Sequence, residues 1–141
     1  MVRVAQVGIA LGALGLMLTL MGLFPGMTGI DPAFGIGMVQ IFVVLAGFSL
    51  LIFGALIYAK FNFYARQDDT LAQQIGVRLA LTGLVIAALV GLADVLGFGS
   101  HSQEETGVIF FGSWQAAGMV GGFLMSSIGV LLYSLTGRLD D

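Results

Sequence analysis

The sequence predicts an all-α integral membrane protein. It is expected to be a four-helix bundle built as a tandem repeat of two-helix hairpins, with a pseudo-two-fold axis along the membrane normal. Three observations predict it. The chain has 141 residues, of which 58% are hydrophobic and only 9% charged. A soluble domain carries about 25% charged residues, so there is too little polar surface here to keep the fold in water. Four apolar stretches follow one another, and the second pair repeats residue types of the first.

The first stretch is Val4–Phe24. Arg3 ahead of it imitates the basic start of a signal peptide. No small-residue cleavage site follows and the run is long, so it is read as an uncleaved span. Pro25–Ala33 is an outer connection with a turn at Asp31-Pro32. The second span is Phe34–Tyr58, and the inner loop Lys60–Gln74 is aromatic and then charged. That pattern reads as an interfacial helical extension ending in a capped turn. The third span is Val77–Phe98, the second outer connection Gly99–Gly107, and the fourth span Val108–Leu135. Each span has about 20 residues or more, enough at about 1.5 Å per residue to cross a hydrocarbon core of about 30 Å. The runs are continuously apolar with no alternation of period two, which favours helices over a barrel. The whole of 1–141 is one four-span domain.

Charge orients the spans. Arg3, Lys60, Arg66, Arg78 and Arg138 all fall on one side of this layout, while the opposite connections hold Asp31, His101, Glu104 and Glu105. The positive-inside rule then places both termini in the cytoplasm of a cell (inner) membrane protein. Aromatic residues mark both interfaces, with Phe24, Phe98 and Trp114 outside and Tyr58, Phe63 and Tyr133 inside.

Sliding the chain by 75 residues aligns 2–64 with 77–139 without a gap and gives 14 identical pairs, among them Arg3/Arg78, Gln40/Gln115, Phe48/Phe123 and Tyr58/Tyr133. Composition alone would give about 5, so a duplication is expected. Hairpins that start and end on the same side make parallel repeats related by an axis along the membrane normal. The alignment also places small residues on one stripe of each helix. Span one carries Ala5, Gly8, Gly12, Gly15, Thr19 and Gly22, matched to Ala80, Gly83, Ala87, Val90, Asp94 and Gly97. Span two carries Gly37, Gln40, Val44, Gly47, Leu51, Gly54 and Tyr58, matched to Gly112, Gln115, Met119, Gly122, Ser126, Gly129 and Tyr133. Small residues let backbones approach where lipid supplies no hydrophobic drive. Gly8, Gly47, Gly54, Gly83, Gly122 and Gly129 are therefore the expected packing positions, and the Leu, Ile, Val and Phe residues off the stripes are expected to face lipid or another subunit.

Asp94 is the one carboxylate inside a predicted span, and intramembrane ionisable residues invite a functional reading. Stripe geometry puts Asp94 level with Gln115, and Thr19 level with Gln40. The expectation is a polar cluster of Asp94, Gln115, Gln40 and Thr19 in which amide and carboxylate form a charge-assisted hydrogen bond.

Other classes are excluded or disfavoured. Eight acidic residues against 5 basic leave no cationic footprint for nucleic acid. Cysteine is absent, so there is no thiol chemistry. His101 with Glu104 and Glu105 reads as a solvated loop rather than a metal site, no span holds an axial histidine for haem, and no cofactor is expected. No nucleophile–base pair stands out, so no catalytic residue is assigned and an enzyme is disfavoured. A duplicated glycine-rich hairpin invites comparison with rotary-ATPase proteolipids, but spans two and four hold no mid-membrane carboxylate. The expected role is a structural or accessory subunit, or a self-associating scaffold, whose partners are membrane lipids and other membrane subunits or copies of itself. The alternative is a small channel or carrier with a polar site near Asp94, Gln40 and Gln115. A weaker option is a lipid or quinone held between helices.

Overall fold

A computed structural model of the chain describes residues 2–29, 37–93, 95–97 and 112–137. Asp94, Asp31, Arg138 and the His101–Glu105 group lie outside them. Among the described residues there are four α-helices and no strand: α1 Val2–Leu23, α2 Met38–Phe63, α3 Leu71–Gly91 and α4 Ser113–Leu135. Each is long and apolar enough to cross a membrane.

Local chemistry accounts for the helix ends. α1 stops before Pro25, which opens a short 3-10 turn, Pro25–Thr28. Gly29 closes that turn at φ 73°, a left-handed conformation that glycine adopts without a Cβ clash. α2 and α4 both start behind an extended glycine, Gly37 at ψ 157° and Gly112 at ψ 151°. α3 starts on a capping box. Thr70 Oγ1 accepts from the backbone N–H of Gln73 at 3.2 Å, and the Thr70 N–H donates to Gln73 Oε1 at 2.9 Å. Two orphan amides of the first turn are satisfied reciprocally.

These ends move three of the expected spans. α2 continues past Tyr58 to Phe63, and α3 runs from Leu71 to Gly91 instead of Val77–Phe98. The capping box starts α3 about a turn and a half earlier than apolarity alone indicates. α4 starts at Ser113 rather than Val108. Arg78 consequently does not open its span. It lies inside α3 with its side chain exposed, where a long cationic stem can reach toward the helix end.

α1 pairs with α2 along its length and α3 pairs with α4, while α2 also touches α3 and α4 and joins the two hairpins. Both intra-hairpin interfaces run backbone against backbone. A Cβ placed on Gly8 would lie 2.7 Å from Tyr58 N and 2.9 Å from Gly54 O. One on Gly47 would lie 2.5 Å from Thr19 N, and one on Gly54 would fall on the amide of Gly12. In the second hairpin a Cβ on Gly76 would lie 2.7 Å from Gly129 O and 2.8 Å from Tyr133 N. One on Gly83 would lie 2.5 Å from Gly122 O, and one on Gly129 would fall on the amide of Ala80.

The register differs from the 75-residue alignment in the first helix of each hairpin. Gly8 faces Gly54 and Tyr58, and Gly76 faces their 75-residue mates Gly129 and Tyr133. The place of Gly8 is thus taken by Gly76, seven residues before Gly83 (83 − 76 = 7). Seven residues are close to two helical turns, so the same face of α3 stays inward while the helix slides by about 10 Å. A heptad slip of this kind leaves the stripe pattern intact and cannot be seen in it.

A further difference lies between the hairpins. Ile41, Leu45 and Ile52 on α2 are off the small-residue stripe, yet they are buried against Ala87, Met119, Ala80 and Leu84 rather than facing lipid. α2 therefore has two packed faces, a glycine face toward α1 and a large-residue face toward α3 and α4. Phe48 stacks on Phe123 of α4 at 4.1 Å between ring centroids.

Candidate functional site

Of the polar residues that the sequence singles out near the outer end, Thr19 and Gln115 have described side-chain hydrogen bonds, and both go to main-chain carbonyls. A Cβ on Gly22, not Thr19, would face α2 at the level of Gln40, lying 3.3 Å from the Gln40 carbonyl oxygen and 2.6 Å from Val44 Cγ2. Thr19 sits deeper, against Gly47, and its hydroxyl donates to the Gly15 carbonyl of its own helix at 2.8 Å. Gln115 reaches across to α3 and donates from Nε2 to the Gly91 carbonyl at 3.2 Å. Gly91 is the last residue of α3, so Gln115 satisfies a carbonyl that the helix end leaves without a partner. Asp94, three residues further on, lies outside the described residues.

The dense polar site is at the opposite end, where α2 turns into α3 and α4 finishes. Its centre is the carboxylate of Asp69. Lys60 Nζ, in the last turn of α2, donates to Asp69 Oδ1 at 2.6 Å and to the Gln67 carbonyl at 3.0 Å. The Tyr133 hydroxyl, near the end of α4, donates to the same carboxylate oxygen at 3.1 Å. Asp69 therefore ties α2 to α4 through the connecting segment. Lys60 also sits favourably at the negative end of the α2 dipole.

The end of α4 is capped by side chains from that connection. The last carbonyls of a helix have no partner within it. Gln73 Nε2 donates to the Tyr133 carbonyl at 3.4 Å, Tyr64 OH to that of Ser134 at 2.6 Å, and Thr70 Oγ1 to that of Thr136 at 3.3 Å. Gln73 is 1% exposed and joins this capping to its own capping box, so its amide serves the start of α3 and the end of α4 together. Tyr64 and Tyr133 pack edge to face at 6.1 Å. A Cβ on Gly137 would overlap the Tyr64 ring, so the chain leaving α4 lies directly on that ring. Every buried side-chain nitrogen or oxygen among the described residues has a hydrogen-bond partner.

The sequence holds part of this site. Thr70 and Gln73 have the three-residue spacing of a capping box, and Tyr133 ends the buried stripe of α4. Nothing in the spacing indicates that Gln73, Tyr64 and Thr70 would reach the carbonyls of a helix some 60 residues away. Hydrogen bonds to main-chain acceptors leave no residue-type signature.

Fold and site together define an all-helical chain whose four helices could each cross a membrane. No family model, curated protein or solved structure matches it.

Proposed function

We propose that the protein is a multi-pass membrane protein that acts as a structural or accessory subunit, or a self-associating scaffold, of a larger membrane assembly. The observation that carries this reading is the disposition of its polar groups. The buried polar side chains among the described residues cap helix ends or lock helices within the chain, and each has an internal partner. What the chain offers outward is apolar, as on α1, where Val7, Leu14, Met17 and Leu20 are exposed. Native mass in mild detergent or lipid nanodiscs tests the reading. The expected result is a discrete complex larger than one chain, either homo-oligomeric or with other membrane proteins. A monomer that conducts ions or solutes in liposomes, and loses conduction with Asp94→Asn, would favour the channel or carrier instead.

The orientation follows from charge. Arg3, Lys60, Arg66 and Arg78 lie in the half of the bundle that carries the clasp, and by the positive-inside rule this supports a cytoplasmic side for that end in a cell (inner) membrane. The chain has no cysteine, so single cysteines at position 2 and at Ser102 report sidedness cleanly. The one at Ser102 should label from outside and the one at position 2 should not.

We further infer that the hairpins arose by duplication and are related by a pseudo-two-fold axis along the membrane normal. Three features support it: the paired glycine starts of α2 and α4, the matched contacts of Gly54 with Gly12 and of Gly129 with Ala80, and the stacking of Phe48 on its own repeat mate Phe123. A residue near a two-fold axis meets its own copy. An experimental structure in lipid should superpose the hairpins by a rotation of about 180° about the membrane normal.

A further inference from the structure

We propose that the clasp around Asp69 is a latch that sets the angle between two otherwise self-contained hairpins, with the Lys60–Asp69–Tyr133 triad as its release point. This rests on the membrane-embedded reading, and is independent of what the protein assembles with.

The argument begins with where directional bonds cross between hairpins. Within the second hairpin, Gln115 bonds α3 near one end, and Ser126 Oγ donates to the Ala80 carbonyl at 2.8 Å in the middle. Between the hairpins, the described hydrogen bonds all lie at the clasp: Tyr133 to Asp69, which Lys60 also holds, and Tyr64 to Ser134. Along the rest of the shared face the contacts are apolar, with Phe48 on Phe123 and Ile41 and Leu45 against Ala87 and Met119.

In lipid that distribution has a mechanical consequence. Apolar side chains exchange a partner helix for acyl chains at little cost, so such a face permits sliding and rotation. Hydrogen bonds with fixed partners do not. The clasp also lies at one extremity of the helices, where a small change of angle moves the far end most. Asp69 is the place where the latch opens. Its carboxylate is the common acceptor of both bonding helices and is 34% exposed, whereas Gln73 and Tyr64 are buried beneath it.

Spin labels test the proposal, because the chain lacks native cysteine. One pair, at Met17 of α1 and Leu124 of α4, spans the two hairpins at positions 62% and 60% exposed. A control pair at Val4 and Phe42 lies within the first hairpin. In lipid bilayers, Asp69→Asn should widen the Met17–Leu124 distance distribution about twofold or add a second population, as release of a hinge restraint would. Tyr133→Phe should widen it less, and neither should alter the control pair. Ser126→Ala, which removes a bond inside the second hairpin, should leave the Met17–Leu124 distribution unchanged. An unchanged distribution in the Asp69→Asn/Tyr133→Phe double variant would overturn the latch. So would equal widening of the control pair, since the clasp would then hold helices in general rather than one angle.

Discussion

The two hairpins bring their helices equally close, but with different chemistry. In α1–α2 the contact is carried by Gly8 against Gly54, Gly15 against Gly47 and Gly22 against Val44, and the Thr19 hydroxyl bonds its own helix. In α3–α4 the places of Gly12 and Thr19 are taken by Ala80 and Ala87, and that of Leu51 by Ser126. Ser126, fully buried, bonds the Ala80 carbonyl; Gln115 and Gln73 add bonds at the two ends. Among the described residues, one hairpin is thus held by van der Waals contact, and the other by contact plus interhelical hydrogen bonds. Such bonds are worth about 0.6 kcal/mol on average within membranes. The bonds add register. They specify at which depth α3 stops sliding along α4, and α1 relies on glycine spacing for the same decision.

Bulk at the helix crossing should separate the hairpins most. A side chain on Gly54 falls on the backbone of Gly12, and one on Gly129 on the backbone of Ala80. Gly54→Leu and Gly129→Leu should each cost about 3 kcal/mol or more, because backbone cannot step aside as a rotamer can. The two should fail differently. α1 touches little besides α2, so Gly54→Leu should detach it and expose its inner face to labelling at Ala5→Cys, a buried position that already carries a Cβ. α3 is also held by α2 and the clasp, so Gly129→Leu should lower the unfolding midpoint without exposing Ala80→Cys.

Next in size is Gln73→Ala, expected to cost about 1–3 kcal/mol because it removes the side-chain half of the capping box and leaves the buried Tyr133 carbonyl without its donor. Amide exchange should rise in the first turn of α3 and the last turn of α4 together. A rise in only one of them would mean that the two ends are not coupled through this side chain. Ser126→Ala should cost only about 0.5–1 kcal/mol in a reversible unfolding titration, with helix pairing retained. The smallest effect has the opposite sign. Nothing lies within 4 Å of a Cβ on Gly12, and its counterpart in the other hairpin is already Ala80. Gly12→Ala should therefore stabilise by about 0.5 kcal/mol through reduced chain entropy. A loss of stability there would break the equivalence of the two hairpins.

How much could be read in advance follows from the range of each interaction. Helix number and class depend on apolarity summed over some 20 residues, which no single contact overturns, and they were legible. The stripe on α4 was also legible. Met119, Gly122, Ser126, Gly129 and Tyr133 are its buried residues, because helical periodicity alone selects a face. The depth at which Thr19 meets its partner helix was not, since sliding by a heptad preserves every stripe. The clasp was half legible, its capping box written in the spacing of Thr70 and Gln73 and its reach to α4 written nowhere.

By itself, then, the sequence determined four apolar helices, the side of the layout on which the cations fall, and the small-residue faces. All are properties of one helix at a time and follow from composition and periodicity. Only tertiary structure decided the seven-residue slip of α3 relative to the alignment, the second packed face of α2, and the convergence of Lys60, Tyr64, Asp69, Gln73 and Tyr133. Each depends on how far one helix slides and turns against another, and that is settled by side-chain fit and by hydrogen bonds to main-chain carbonyls, which are the same at every residue.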